Sequence, residues 1–339
     1  MLDASGRVIY VGKAKRLRAR LLSYFRARYP ETKAARILNA AADIQWNPAP
    51  SEFSALLGEL RQIRRYRPPF NVRMNRNRRV AFVKISAGPA PKIYVGGSPG
   101  GDHVRHYGPY AGVARVKDGV RVLNDLLGLR DCGLTMPVTF SEQPDLFGGR
   151  GRSACLRHDF GQCTAPCAGS VSEEDYQRRL AEAVAFLEVR ALSPLDRVVK
   201  EMTTSSDRQE YELAASWRRK LDSLEWLLAA SVRAQAAVAA LSFVYTDPGV
   251  YGDERAYVIR HGTVRAEAPA PRTPIEREAF DSLVAEHLAW QPESSAIPAV
   301  TIDETLLLME WFRRHPSALH RTVPLAEWPA LSARARAET

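Results

Sequence analysis

The sequence predicts a modular α+β protein, and three observations carry that expectation. Positive charge is confined to one end: residues 1–80 hold 18 Lys+Arg against 5 Asp+Glu, although the whole chain has a net charge of only +10. Hydrophobic periodicity switches repeatedly between alternating and helical along the chain. All four cysteines fall within the short stretch 132–167. At 339 residues the chain is long enough for two or three domains with real cores.

Composition narrows the class. Apolar residues make up 45% and charged residues 25%, as in ordinary globular proteins. No apolar run reaches the length of a membrane span, and Met1-Leu-Asp-Ala-Ser-Gly-Arg lacks the basic and apolar segments of a signal peptide. No membrane partner is expected. Four cysteines are too few for a disulfide scaffold, so a reducing, cytoplasmic setting is expected. The basic first quarter suits a polyanion such as nucleic acid, the alternative being a solvated basic surface or an anionic membrane contact.

The elements follow in order. Val8-Ile9-Tyr10-Val11 is β-prone and ends at Gly12. Leu17, Leu21 and Phe25 repeat at helical spacing until Pro30 stops the pattern. A second helix starts at Ser51 as N-cap, buries a stripe of Phe53, Leu56, Leu57, Leu60 and Ile63, and ends at Pro68-Pro69. Residues 80–86 and 92–95 read as a hairpin around Gly88-Pro89. The region 96–112 reads as a Gly-rich loop, followed by a helix over about 113–128. Residues 141–170 are polar and Gly-rich. From Ser172 to about Leu241 the sequence is helical, interrupted near Thr203–Asp207, as in an antiparallel helical hairpin. Residues 242–270 return to β character, and a mixed tail follows.

Three features of the first module point to phosphate chemistry. Gly12 permits a tight turn at a strand-to-helix junction, where Lys13 can reach a phosphate. Arg20 and Tyr24, at i and i+4, put a cation and a phenol on one helix face. Glu59 flanks the apolar stripe of the second helix and could hold one hard divalent cation among waters. Taken singly, a Tyr-Val-Gly run is common, Arg20 is more often a solvated charge and Glu59 more often a surface residue or a helix-face ion partner; their force lies in the ordered set.

The run Tyr10-Val-Gly-Lys13-Ala-Lys-Arg-Leu-Arg-Ala-Arg20-Leu-Leu-Ser-Tyr24-Phe resembles the second half of a GIY-YIG nuclease domain. The version it resembles is that of the UvrC excinucleases and their shorter relative Cho. Residues 51–72 resemble the helix that follows in that domain, with Glu59 at the family's metal-ligand position and Asn71 at the asparagine after the helix. Lys13, Arg20 and Tyr24 match its phosphate-facing residues. His106-Tyr-Gly-Pro-Tyr110, Leu129-Arg-Asp-Cys132 and Cys155–Cys167 resemble later family motifs in the same order. The family's first motif places another tyrosine about ten residues before Tyr10. That place falls just before Met1, which implies either a start further upstream, as in a longer exonuclease fusion, or a chain lacking one catalytic phenol.

The chain is expected to divide into a small mixed sheet with helices at 1–80, which the resemblance implies, a hairpin and cysteine-rich segment at 81–171, a helical hairpin at 172–241 and, from its β character alone, a small α/β region at 242–339. The resemblance implies a metal-dependent, structure-directed DNA endonuclease of nucleotide excision repair. Mg²⁺ or Mn²⁺ would sit on Glu59, Tyr10 would orient or activate water, Lys13 and Arg20 would stabilise phosphoryl charge, and Tyr24 would position the phosphate or the water. The competing reading is a catalytically impaired module that binds DNA and recruits a partner. No trio of aspartates on strands and no helix-hairpin-helix pattern follows residue 241, so a second incision centre is not expected.

Cys132, Cys155, Cys163 and Cys167 follow C-x22-C-x7-C-x3-C. Four thiolates can hold an iron–sulfur cluster or zinc, or stay unmetallated in a core. No tight C-x2-C pair marks a zinc ribbon, and the resemblance implies a [4Fe–4S] cluster. His158 is the one histidine placed to be considered as a further ligand. The segment Glu210–Glu225 resembles the UVR motif, through which UvrC meets the damage-recognition protein UvrB; plain packing of the hairpin is the alternative.

Overall fold

The computed structural model describes residues 1–71, 80–97, 104–143, 154–288 and 292–337. The chain forms two compact units. One comprises residues 1–76, 238–291 and 303–339; the other comprises 77–237 and 292–302. Val72, the last residue of the family-like stretch after Glu59, lies outside the described residues, as does much of the Gly-rich part of 141–170.

The first unit begins with helices α1 (Leu17–Phe25), α2 (Lys33–Ala40) and α3 (Glu52–Tyr66). Ser51 caps α3 as the sequence predicts, its hydroxyl accepting from the Ser54 amide at 3.0 Å. Phe53, Leu57 and Leu60 are buried, while Leu56 and Ile63 are only half-buried. The β-prone run at 8–11 does not become a named strand. Leu2 bridges Val8 and Asp43, and the rest of the run is extended.

The unit is completed by a four-stranded antiparallel sheet from much later in the chain. Strands β4 (Phe243–Asp247), β5 (Arg255–Arg260), β6 (Thr263–Pro269) and β7 (Thr322–Pro324) lie in the order β6–β5–β4–β7. Helices α9 (Pro274–Leu288), α10 (Ile302–Arg314) and α11 (Trp328–Ala337) accompany it. Side chains alternate across a strand, so the sheet has two apolar faces. Phe243, Tyr245, Tyr257 and Ile259 form one core with Phe53 and Leu57 of α3 and Leu308, Trp311 and Phe312 of α10. Val244, Ala256 and Val258 form another with Phe280 and Val284 of α9 and Leu325.

The second unit is built on the antiparallel sheet β2–β1–β3, from β1 (Val80–Ile85), β2 (Ile93–Gly96) and β3 (Arg105–Ala111). The hairpin expected around Gly88-Pro89 forms, with Ile85 opposite Ile93. The described part of the expected loop 96–112 is different: residues 105–111 are a strand. Gly108 and Pro109 read as loop residues, yet they occupy a register shift opposite Ala81–Val83 where β3 carries an extra residue. Gly108 is needed there, with φ at +134° and a Cβ position only 3.1 Å from the Ala81 carbonyl.

Helix α4 (Val113–Leu127) packs on this sheet and ends at Gly128, whose φ of +67° forms a left-handed cap. A short helix α5 (Leu156–Asp159) follows. The predicted helical pair is three helices: α6 (Glu173–Leu187), α7 (Ser193–Asp207) and α8 (Tyr211–Ala239). The breaks lie at 188–192 and 208–210 rather than within 203–207, with Val189 and Gln209 in the left-handed region at φ 60° and 64°. Val83, Ile85, Tyr107, Val120, Leu123, Tyr176, Phe186, Leu224 and Leu227 belong to the shared core. None of the described helices is long and apolar enough to cross a membrane.

Candidate active site

The extended run at 8–11 places Tyr10 beside α1. The Tyr10 and Tyr24 ring centroids are 6.1 Å apart at 51°. Arg20 lies one turn before Tyr24, its guanidinium carbon 5.1 Å from the Tyr24 ring and its Nη2 3.4 Å from the Tyr24 hydroxyl. Arg20 also hydrogen-bonds Tyr10, which raises the guanidinium further. The two phenols and the cation thus form one cluster, in which Tyr24 is buried and Arg20 exposed. Burial pushes the Tyr24 hydroxyl up to about 12, helped by its hydrogen bond to Tyr10 and opposed by Arg20. Tyr24 is therefore a neutral phenol and a hydrogen-bond donor at neutral pH.

Gly12 makes this arrangement possible. A Cβ at that position would lie 2.7 Å from the Tyr10 hydroxyl, so the ring folds back over bare backbone. Asn71, at the end of a 3₁₀ turn after α3, fixes the same segment. Its Oδ1 accepts from the Val11 amide at 2.9 Å and its Nδ2 donates to the Val11 carbonyl at 2.8 Å. The side-chain amide does for Val11 what a neighbouring strand would do, which is why the run is extended without a ladder. Asn71 is thereby a tether of the Tyr10 segment, with both ends of its amide in use.

Glu59 projects from α3 into the neighbourhood of Lys13 and Arg20. Burial pushes its carboxyl above the usual range, against the pull of the Lys13 charge and backbone amide and of Arg20. Two residues outside the sequence reading join the site. Glu52 lies seven residues before Glu59 and so on the same helix face; it pairs with Lys13 at 3.6 Å and Lys15 at 2.7 Å. Lys33 of α2 sits 5.9 Å from the centroid of the Tyr10 ring. The i, i+7 repeat of the two glutamates was the available signal for the first; nothing local marked the second.

The donor chemistry at Glu59 suits a hard divalent ion: one half-buried carboxyl whose charge its surroundings compensate only in part. Among the described residues no group of three or more His, Cys, Asp or Glu gathers closely enough to hold a metal by itself. Any ion on Glu59 would therefore complete its shell with water and phosphate oxygens.

The cysteines lie in the other unit. All four are free, with Cys163 buried, Cys155 exposed and Cys132 and Cys167 between. Burial pushes the Cys163 thiol up, and the nearby Cys155 and Cys167 add to this. Ala165, left-handed at φ 50°, turns its amide to donate to Cys163 Sγ at 3.4 Å, a contact that suits a thiolate ligand. Arg157 organises the segment through Asp125 at 2.8 Å and the Gln162 carbonyl at 3.1 Å. His158 Nδ1 meets the Cys163 carbonyl at 3.0 Å instead of a thiol.

Comparison with known proteins gives three family matches in chain order. Residues 1–72 match a UvrC-like GIY-YIG domain, residues 80–186 the middle domain of UvrC/Cho excinucleases, and residues 193–225 the UvrB/UvrC motif. The chain is 33% identical over 227 residues to UvrABC system protein C of Dehalococcoides mccartyi strain CBDB1, a match covering 66% of this chain and 36% of that protein. It is 34% identical over 229 residues to the protein of the same name from Lachnospira eligens, covering 66% and 36%. The corresponding protein of Gemmatimonas aurantiaca is 32% identical over 234 residues, covering 68% and 36%. The match thus spans about a third of the length of these curated relatives. No solved structure matches.

Proposed function

The chain belongs to the UvrC/Cho family of GIY-YIG proteins, and from that premise we propose that it is a metal-dependent endonuclease that nicks one strand of damaged DNA. The observation that carries the reading is the meeting of Glu59 with Lys13 and Arg20, beside the Tyr10–Tyr24 pair. A phosphodiester held there faces two cations that oppose the charge building on its oxygens. Tyr24, kept protonated, gives its one hydroxyl hydrogen to Tyr10 in the free site, and a bound phosphate or attacking water would take that hydrogen in place of Tyr10. Tyr10 accepts from Arg20 and Tyr24 and is the phenol placed to orient that water; it would take the water's proton only as a phenolate, its own proton having first left to solvent. Glu59 would hold Mg²⁺ or Mn²⁺, which supplies Lewis-acid stabilisation of the leaving oxygen.

The UVR match over residues 193–225 supports partner recruitment by α7 and the start of α8. Val198 and Ser205 are buried there, whereas Val199, Tyr211 and Leu213 are exposed and available to a UvrB-type protein. The resemblance favours a [4Fe–4S] cluster on the four cysteines, with zinc as the alternative, but as they stand no three of them gather closely enough to hold a metal, so either occupant requires the segment to draw together. Iron and sulfide assay after anaerobic purification distinguishes the two.

A nicking assay on lesion-bearing duplex with Mg²⁺ or Mn²⁺, with and without the UvrB-type partner, tests the proposal. Glu59→Ala is expected to abolish nicking and leave DNA affinity nearly intact. Unchanged metal-dependent nicking in that variant removes Glu59 from the role. No nicking by the natural sequence under any of these conditions favours a DNA-binding, partner-recruiting module instead.

A further inference from the structure

We infer that the late-arriving sheet of the first unit is a positioning support for the helix that carries Glu59, with Tyr257, Asp247 and Glu304 as positioning residues for nicking. The inference rests on the nuclease reading and concerns residues beyond 225, where the last of the family matches ends.

Helix α3 has two occupied faces. Glu59 looks toward Lys13 and Arg20, and Glu52 toward Lys13 and Lys15. Phe53, Ser54, Leu57, Arg61 and Arg64 fall roughly 120–160° around the axis from Glu59 at 3.6 residues per turn. That second face forms a layer of the β4–β5 sheet. Phe53 meets Tyr257 edge-on at 4.9 Å and Tyr245 at 5.1 Å, and lies 5.3 Å from Trp311.

Polar contacts grip the helix at four heights. The Ser51 hydroxyl donates to Asp247, which is buried and also accepts from Tyr245 at 3.1 Å. The hydroxyls of Ser54 and Tyr257 hydrogen-bond at 2.6 Å. Arg61 pairs with Glu267 at 2.6 Å. Arg64 pairs at 2.9 Å with Glu304, which is 6% exposed and also accepts from the Val264 amide at 2.7 Å. From Ser51 to Arg64 these contacts span about 20 Å of helix.

Apolar packing alone tolerates small slides and rotations of a helix; directional contacts at its two ends and middle do not. The buried carboxylates Asp247 and Glu304 are costly to leave unpaired, so they hold α3 to one rotation about its axis. That rotation is the one that aims Glu59 at Lys13 and Arg20. Misplacement of a reacting group by about 1 Å can cost roughly a hundredfold in rate.

The test uses the full chain. One variant combines Ser54→Ala with Tyr257→Phe, which removes both hydroxyls and leaves the rings packed; a second is Glu304→Gln, which keeps shape and an acceptor oxygen. The control is Asp281→Asn on α9, which weakens the contacts from Trp328 Nε1 and Ser332 on the opposite side of the same sheet. Nicking rate at saturating DNA, DNA affinity, thermal midpoint and amide hydrogen exchange across residues 52–66 are measured for each. Both grip variants are expected to lose roughly ten- to a hundredfold in nicking rate, with DNA affinity within about twofold and faster exchange in α3. Asp281→Asn is expected to lower the midpoint and leave nicking and α3 exchange unchanged. Unaltered nicking in both grip variants, or an equal loss in Asp281→Asn, overturns the inference. Should the natural sequence not nick at all, the nuclease reading fails separately, and the exchange measurement still decides whether these contacts hold the helix.

Discussion

The Asn71 side chain holds both backbone polar groups of Val11, at 2.9 and 2.8 Å, and so ties the turn after α3 to the segment that bears Tyr10. Asn71→Ala leaves a buried amide and carbonyl unpaired, which costs about 1–3 kcal/mol. The expected outcome is a lower thermal midpoint and a slower nicking rate at saturating DNA. Asn71→Asp keeps only the acceptor half of the pair and is expected to fall between. A variant with wild-type rate and midpoint would show that the tether is dispensable.

Gly12→Ala is expected to act on the chemistry more than on the fold. The added methyl would overlap the Tyr10 hydroxyl, and the ring must swing away from Arg20 and Tyr24. Gly12 is exposed, so global stability should change little. Nicking rate, DNA affinity and midpoint measured together check this: a loss confined to rate is expected, whereas an unaltered rate sinks the proposed place of Tyr10.

Gly119 of α4 is a close-approach position in the second unit. A Cβ there would stand 2.8 Å from the Leu227 Cβ and 3.1 Å from the Ser223 carbonyl on α8. Alanine favours an exposed helix, but here overpacking should dominate and destabilise by about 1–3 kcal/mol. Denaturant midpoints of Gly119→Ala and the parent chain give the sign directly.

His106 gives the second unit a pH dependence. The ring is fully buried, and burial with the neighbouring Lys84 holds its imidazole down to about 4 from the ordinary 6.5. Between those values the unfolded chain binds a proton there and the folded chain does not. The contribution is therefore whole above pH 6.5, declines as pH falls toward about 4, and is flat below, with a total of at most about 3 kcal/mol. Unfolding free energy measured across this window should slope less in His106→Gln than in the parent. Equal slopes would assign the dependence to other groups.

The sequence was most legible where one physical cause acts locally. Ser51 as the cap of α3, the burial of Phe53, Leu57 and Leu60, and the hairpin closed at 86–92 all follow from short-range spacing. Gly12 differs: its spacing suggests a tight strand-to-helix turn, whereas its φ lies outside the left-handed region and what demands glycine is the Tyr10 ring folded over it. Strand β3 was hidden because Gly108 and Pro109 signal a loop unless the bulge that accommodates them is known. The second face of α3 was hidden for another reason. Ser54, Arg61 and Arg64 carry no local signal of a partner, and Tyr257, Glu267 and Glu304 stand about two hundred residues away. The cysteine spacing marked a common neighbourhood, whereas the donation of the Ala165 amide to Cys163 depends on a left-handed backbone that no spacing reveals.

The separation between α3 and its sheet also bears on how the chain is made. Phe53 and Leu57 leave the ribosome long before Tyr245, Tyr257 and Trp311 are synthesised. At about 5–20 residues per second that interval is roughly 10–40 s. Through that time the helix bearing Glu59 has a bare greasy side and no fixed orientation. Cutting competence would then arise late in translation, after the segments for partner recruitment have already emerged.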